Sequence, residues 1–304
     1  MALYIKEIQC SASRYCQYRN LDDLHTTHQL TERDIKAYQR IFSLQSVVMN
    51  PLPHKAMHLE TLQALVEKYL DLRAAAGVLI YSKTQTHNTL FDEDWLGEIA
   101  RACGLTQWRW FTLSMNHCAS GLSAVHLARR LMANNSALPV IVLSGEKSFS
   151  PAFNRLPVGL LGEMSTACLL SSQHGHWEIK DTAVRHINRY YKNQDAMTQQ
   201  ERNTLRTVFY DELNRFLSDF SQANGYGDAV IPYNLNAPLL RRLAQEQGWN
   251  NRMDISQLAR VGHTWCSDVF YNLSRLKNNA MPKSATLFSA GMGITLSAMH
   301  IART

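Results

Sequence analysis

Two continuous apolar runs, GVLIYSK over residues 77–83 and PVIVLSG over 139–145, restrict the fold more than any other feature of the chain. Neither is broken by a polar residue until its end, so both faces of each must be covered, as in parallel strands buried inside a sheet. Parallel neighbours need long crossovers, and helical periodicity appears where those are required, over 59–76, 92–103 and 122–134. The second half repeats the rhythm: GDAVIPYN (227–234) reads as a strand running into a helix at 237–247, and ATLFSAGMG (285–293) as a strand running into a turn. The reading is an α/β protein of two similar halves packed together, 1–172 and 173–304, with no low-complexity linker between them. The most polar stretch, 186–226, reads as a surface insertion with an amphipathic helix from Gln199 onward. Its apolar face, Val208, Phe209, Leu213, Phe216, Leu217 and Phe220, should serve as core or cavity wall.

Composition removes several classes of function. With 45% hydrophobic and 18% charged residues the chain has the make-up of an ordinary globular protein. No stretch reaches the roughly 20 apolar residues of a membrane span. The start, MALYIKEIQC, is not a secretory signal, so a cytoplasmic protein without a membrane span is expected. Six cysteines, at 10, 16, 103, 118, 168 and 266, form no CxxC pair and read as reduced thiols. A net charge of +6 suits phosphate-bearing cofactors and acidic carrier proteins. Lys and Arg are neither gathered in a run nor interleaved with aromatics, which argues against nucleic acid. His25 and His28 lie in DDLHTTH without further ligands at suitable spacing, so a solvated loop is expected there and no metal site.

One thiol has an unusual setting. In SMNHCASGLSAV (114–125), Cys118 follows a strand-like segment at 110–113 and precedes a helix-like segment at 122–132 carrying Leu122, Val125, Leu127, Ala128 and Leu131. At a helix N-terminus, free amides and the helix dipole favour a thiolate. The small residues Ala119, Ser120 and Gly121 would let a substrate come close. The alternative is a buried structural cysteine, and the local sequence leaves both open.

Five segments bear on that choice together: NHCASGLSAV (116–125), LGEMSTACLL (161–170), VIPYNLNAPLLRRLA (230–244), ARVGHTWCSDVFYNL (259–273) and LFSAGMGITLSAMHI (287–301). In order and spacing they resemble the ketoacyl synthase III branch of the thiolase fold. That branch has a nucleophilic Cys, an FGDGAGA strand, a PHQAN segment, a GNTS turn and a GxGxTWGA strand. The resemblance runs from about residue 77 to the end. It implies a thiolase-like α/β fold whose duplicated halves form a five-layer αβαβα arrangement, and commonly a dimer. It also implies an acyl-CoA or acyl carrier protein as donor, with no permanently bound cofactor and no metal.

Two departures stand out. Where the family has PHQAN this chain has Pro232, Tyr233, Asn234, Leu235 and Asn236, so Tyr233 replaces the usual histidine. Where the family has GNTS it has Gly262, His263 and Thr264, so His263 replaces the usual asparagine. The resemblance implies a catalytic set of Cys118, His263 and Tyr233, with the backbone amides of Cys118 and Met292 as oxyanion donors. His263 is read as the base beside the thiol, or as a cap for the following helix. Tyr233 is a site hydroxyl or a pocket wall. Asn234 and Asn236 are substrate or carrier contacts, or turn residues, and Arg241 and Arg242 are carrier contacts. His117 is expected to point away from the thiol, and Glu163, replacing the family's Asp, to be a packing residue. The expected activity is acyl transfer, or atypical condensation, through a Cys118 thioester in specialised metabolite or lipid biosynthesis. The alternative is a catalytically silent partner subunit of a heteromeric ketosynthase-like complex, so homodimer and heterodimer both remain open.

Overall fold

A computed structural model of the chain describes residues 2–85, 94–188, 196–276 and 281–304. In chain order the elements of the first half are β1 (Tyr4–Cys10), β2 (Gln17–Asn20), α1 (Glu32–Arg40), β3 (Ser46–Met49), α2 (His54–Lys68), β4 (Val78–Ser82), α3 (Trp95–Ala102), β5 (Arg109–Leu113), α4 (Ser120–Asn134), β6 (Val140–Ser144), β7 (Arg155–Leu156), β8 (Gly159–Leu160) and β9 (Thr166–Ser171). The second half adds β10 (Trp177–His186), α5 (Gln199–Asn224), β11 (Ala229–Pro232), α6 (Ala237–Glu246), α7 (Leu258–Val261), α8 (Asp268–Ser274), β12 (Ser284–Gly291) and β13 (Thr295–Arg303). Residues 92 and 93, the start of the helix expected over 92–103, lie outside the described residues, as do 189–195 of the polar insertion.

Nine strands form one sheet in the order β11-β12-β13-β10-β1-β9-β6-β4-β5. The two apolar runs are β4 and β6, which pair in parallel in its interior. The pattern of pairing repeats. In the first half β4 runs parallel to β6, which pairs antiparallel to β9, which pairs antiparallel to β1. In the second, β11 runs parallel to β12, then β13 and β10 follow antiparallel. The two sets join through β1 and β10, where Tyr4 faces Glu178 and Ile5 faces Trp177.

Alternation along the strands sorts their side chains into layers. Val78, Ile80, Val140 and Val142 share a core with Ile231, Leu287, Met299, Leu122, Val125 and Phe270, so α4 and α8 lie sandwiched between the two portions of the sheet. The alternate residues Leu79, Tyr81, Ile141 and Leu143 pack outward on α2 and α3. On the other side Val230, Phe288 and Ala298 pack on α5 and α6. Helix, sheet, helix, sheet, helix: the chain has the five-layer α/β thiolase-like fold.

α5 is the expected amphipathic helix and starts at a capping box between Thr198 and Glu201. Leu213, Phe216, Leu217 and Phe220 are buried in the outer core, with Val208 and Phe209 packed at its margin. Among the described residues no helix is long and apolar enough to cross a membrane, and no cluster of three or more His, Cys, Asp or Glu could hold a metal.

Two expectations need correction. His28 is not in a solvated loop: it is 2% exposed, its Nδ1 bonded to the Thr27 hydroxyl at 3.0 Å and its Nε2 to the Asn154 amide at 3.5 Å, whereas His25 is exposed. Glu163 is structural by charge rather than by packing. Its Oε2 lies 2.7 Å from Lys147 Nζ and accepts the Asn50 N–H.

Candidate active site

The Cys118 turn sits where four elements converge. Cys118 occupies a 3-10 turn, His117–Ala119, that leads directly into α4, whose N-cap residue Ala119 makes no side-chain capping hydrogen bond. The first-turn amides and the dipole of α4 therefore face the region of the thiol. The turn is fixed from β12 and β13: Ser289 donates to the Cys118 carbonyl at 2.7 Å and Ser297 to the Ala119 carbonyl at 3.1 Å. Gly291, at the end of β12, presses so closely on the turn that a Cβ there would lie 2.2 Å from the Asn116 carbonyl. Met115 and His117, flanking this contact, both have left-handed backbones, φ 72° and 49°. For side chains other than glycine such conformations cost free energy and concentrate at functional sites.

His263 arrives from the other half. Gly262 before it has φ +72°, and a Cβ there would lie 2.7 Å from a Val47 methyl and 2.9 Å from the Leu160 carbonyl. The histidine's own backbone is pinned on both sides, its N–H to Leu160 at 2.9 Å and its carbonyl by Gly162 N–H at 2.8 Å. The imidazole is 1% exposed. Its Nε2 lies 2.9 Å from Cys118 Sγ, and its Nδ1 lies 2.5 Å from Asp268 Oδ2.

Asp268 is the residue that sequence reasoning missed. It is the first residue of α8, five positions after His263, and is buried. Every lone-pair direction it offers is used: Oδ2 also accepts the Asn234 N–H at 2.6 Å, while Oδ1 accepts the Thr264 N–H at 2.6 Å and the Thr264 hydroxyl at 2.7 Å. A buried carboxylate is tolerated when bonded in this way, and it orients the imidazole it faces. Burial alone would lower the His263 pKa, but the Asp268 carboxylate and the Cys118 sulfur more than reverse this and hold it well above the ordinary histidine value. His263 is therefore the middle member of a contact chain Cys118–His263–Asp268, and the helical segments after it have Thr264 and Ser267 at their N-caps.

Tyr233 follows β11 and is 3% exposed, its ring edge-on to His263 and to Phe288 at 6.2 Å each. Burial, then the nearby Cys118 and Asp268, push its pKa up, so it stays a neutral phenol. It borders the imidazole as an aromatic wall with a hydroxyl.

The asparagines that follow do not contact the site through their side chains. The Asn234 amide is locked reciprocally to Asn272, at 2.8 and 3.2 Å, and Asn272 also donates to the Pro232 carbonyl at 2.9 Å. Asn236, at φ 60°, caps α6 by accepting the Leu239 N–H. Both side chains are engaged within their turns. Arg241 donates to the Ser43 hydroxyl at 2.7 Å. Arg242 pairs with Glu246 at 2.9 Å and stacks over the Tyr210 ring. Met292, in the turn beyond Gly291, is 42% exposed.

No protein-family model matches the chain, and no curated protein matches it in sequence. Solved structures do match over its whole length. ChlB3, described as an acyltransferase, superposes with a TM-score of 0.82 at 14% identity, covering 100% of this chain and 98% of that one. The 3-oxoacyl-(acyl carrier protein) synthase III FabH of Pseudomonas aeruginosa gives 0.78 at 14% identity, covering 100% and 98%. An OleA variant of Xanthomonas campestris gives 0.79 at 12% identity, covering 99% and 98%. The fold is thus the ketoacyl synthase III-like form of the thiolase fold.

Proposed function

We propose that this chain is an acyltransferase that carries its acyl group as a thioester on Cys118. The observation that carries the reading is the continuous contact from Cys118 Sγ through both ring nitrogens of His263 to Asp268. Structural neighbours described as an acyltransferase and as ketoacyl synthases support the same class of reaction. In the loading step the Cys118 thiolate attacks the carbonyl carbon of an acyl-CoA or acyl-phosphopantetheine. The oxyanion is received by the amides of Cys118 and Met292, and the donor sulfur leaves as a thiol with the proton from His263. In the transfer step His263 Nε2 takes the proton of an acceptor nucleophile, which displaces the Cys118 sulfur. Asp268 keeps Nδ1 protonated, so Nε2 is the nitrogen that exchanges a proton with Cys118 and the acceptor.

Decarboxylative condensation fits this site less well. It needs two donors around an enolate, and here Tyr233 offers one hydroxyl where the family pattern has an imidazole, while the imidazole at the other corner is tied to Asp268 and Cys118. The test is to give the protein acyl-CoA, and separately malonyl-CoA, and to measure acyl transfer and carbon dioxide release. Transfer without appreciable decarboxylation supports the reading. Vigorous decarboxylation would assign a condensing enzyme, and no loading at all a silent partner subunit.

The expected dimer has a candidate surface at β5, the terminal strand of the sheet among the described residues. Its Phe111 is exposed, and beside it runs an apolar groove of about 500 Å³ lined by Val78, Trp108, Arg109, Trp110, Phe111 and Leu131. An open apolar edge of this kind is a template for strand pairing. A second copy of the chain, joined edge to edge, would cover it. Light scattering that finds a dimer, converted to monomer by Phe111→Lys, supports this arrangement.

A further inference from the structure

Beyond His263, one more side chain reaches the reactive sulfur. Thr84, just past β4, places its hydroxyl oxygen 3.8 Å from Cys118 Sγ and 3.6 Å from Cys266 Sγ. These are sulfur-contact distances, longer than oxygen–oxygen hydrogen bonds because sulfur is larger. The segment is fixed from below by Glu146, which follows β6 and is wholly buried. Its carboxylate accepts the Thr84 N–H and, at 2.8 Å, the Gln85 N–H, while the Gln85 side chain donates to the Lys147 carbonyl at 3.0 Å.

We propose that the Thr84 hydroxyl is a second hydrogen-bond donor to the Cys118 sulfur, held in place by the Glu146 carboxyl group and directed to Cys118 rather than Cys266 by the bonding of the second thiol. The direction follows from counting hydrogens. Thr84 has one O–H and two sulfur neighbours. The Cys266 thiol does not need it, because its own S–H has the His117 carbonyl at 3.4 Å as acceptor. Cys266 also stays protonated: burial, then the charges of Glu146 and Cys118, push its pKa well up. A neutral thiol competes poorly with a thiolate for a donor. The Thr84 hydrogen therefore stabilises negative charge on Cys118 when the thiolate forms and again when the sulfur is displaced in the transfer step.

This rests on the reading of Cys118 as the nucleophile, and the experiment separates the two claims. The groups facing Cys118 are His263 with Asp268 behind it, Tyr233, Cys266 and, beyond Thr84, Glu146. All of them are retained in Thr84→Val, so the difference between the proteins reports the hydroxyl. Iodoacetamide alkylation of Cys118 is followed by mass spectrometry across a pH series in the natural protein, Thr84→Val and Thr84→Ser. Removing the donor should slow alkylation about fivefold near pH 6 and leave the rate unchanged at high pH, where the thiolate forms anyway. Thr84→Ser should restore the natural profile. A Thr84→Val profile that matches the natural one, or a loss of equal size at every pH, overturns the proposal. Natural-protein alkylation near pH 6 no faster than that of a cysteine in a short peptide overturns the nucleophile reading and this one with it. Matching circular dichroism melts for the three proteins show that the fold is intact.

Discussion

Cys118 Sγ stands 2.9 Å from His263 Nε2 although 145 residues of chain separate them. Each partner is fixed independently, the cysteine turn by Ser289 and Ser297 and the histidine by Leu160 and Gly162. Their approach is therefore set by how the two portions of the sheet pack across α4 and α8, and the site exists only when both are assembled.

Removing the base should act on the chemistry. His263→Ala is expected to slow acyl loading by roughly 10²–10⁴-fold, the usual loss for general acid–base catalysis. Tyr233→Phe should cost less, since it removes one hydroxyl and leaves the ring against His263 and Phe288. Stopped-flow release of CoA from acyl-CoA measures both.

Asp268 should matter in two separable ways. Asp268→Asn keeps the shape but can no longer hold Nδ1–H with a charged acceptor, so loading should fall with little change in the concentration of acyl-CoA needed for half-maximal rate. Asp268→Ala leaves the Thr264 and Asn234 donors without their carboxylate, so it should also destabilise the fold by about 3–5 kcal/mol, the range for a broken buried pair. Urea unfolding compared with loading kinetics distinguishes the two effects.

Much of this was legible in the sequence, and the failures have specific causes. β4 and β6 announce themselves because a parallel strand covered on both faces has no choice but continuous apolar residues. Cys118 and His263 came from motif order. Asp268 did not, because an acidic residue at the start of a short helix is ordinarily read as a partner for the helix dipole. Only the three-dimensional turn Gly262–Asp268 shows that it reaches back to the imidazole. Asn236 carried a readable signal, an Asn before Ala237 and Pro238 at a helix start, which marks an N-cap. The burial of His28 depends on Asn154, more than a hundred residues away, and has no local signature.

The contact of Gly291 on the nucleophile turn makes a sharp steric test. In Gly291→Ala the new methyl would meet the Asn116 carbonyl, and backbone cannot yield cheaply. Loading should drop by at least tenfold, the cost of a misplaced nucleophile, while secondary structure is retained. A fully active variant would show that the turn is slack.

Glu146 should make stability depend on pH. Burial raises its pKa from 4.5 to about 7, against the lowering by the Gln85 and Thr84 amides. The folded state thus holds a proton that the unfolded state releases, and this contribution is fully present below about pH 4.5 and is lost as pH rises through about 7. The loss is at most about 3 kcal/mol. Burial lowers the pKa of His28, His54, His58 and His117, which gives stability the opposite slope, so the comparison must be with Glu146→Gln. Urea midpoints at pH 5 and pH 7.5 should fall more in the natural protein than in the variant.

The swapped corners can be exchanged back. Tyr233→His combined with His263→Asn recreates the arrangement that the ketoacyl synthase III pattern carries. It should raise carbon dioxide release from malonyl-CoA relative to the natural protein, measured with labelled malonyl-CoA.

The most direct measurement is the intact mass of the protein after brief exposure to an acyl-CoA, followed by peptide mapping. The expected result is one acyl adduct on Cys118, released by hydroxylamine as a thioester should be and absent from Cys118→Ala. Label on Cys266 or Cys168 instead, or no adduct on the natural protein with any acyl thioester, would contradict the assignment of Cys118 as the residue that carries the acyl group.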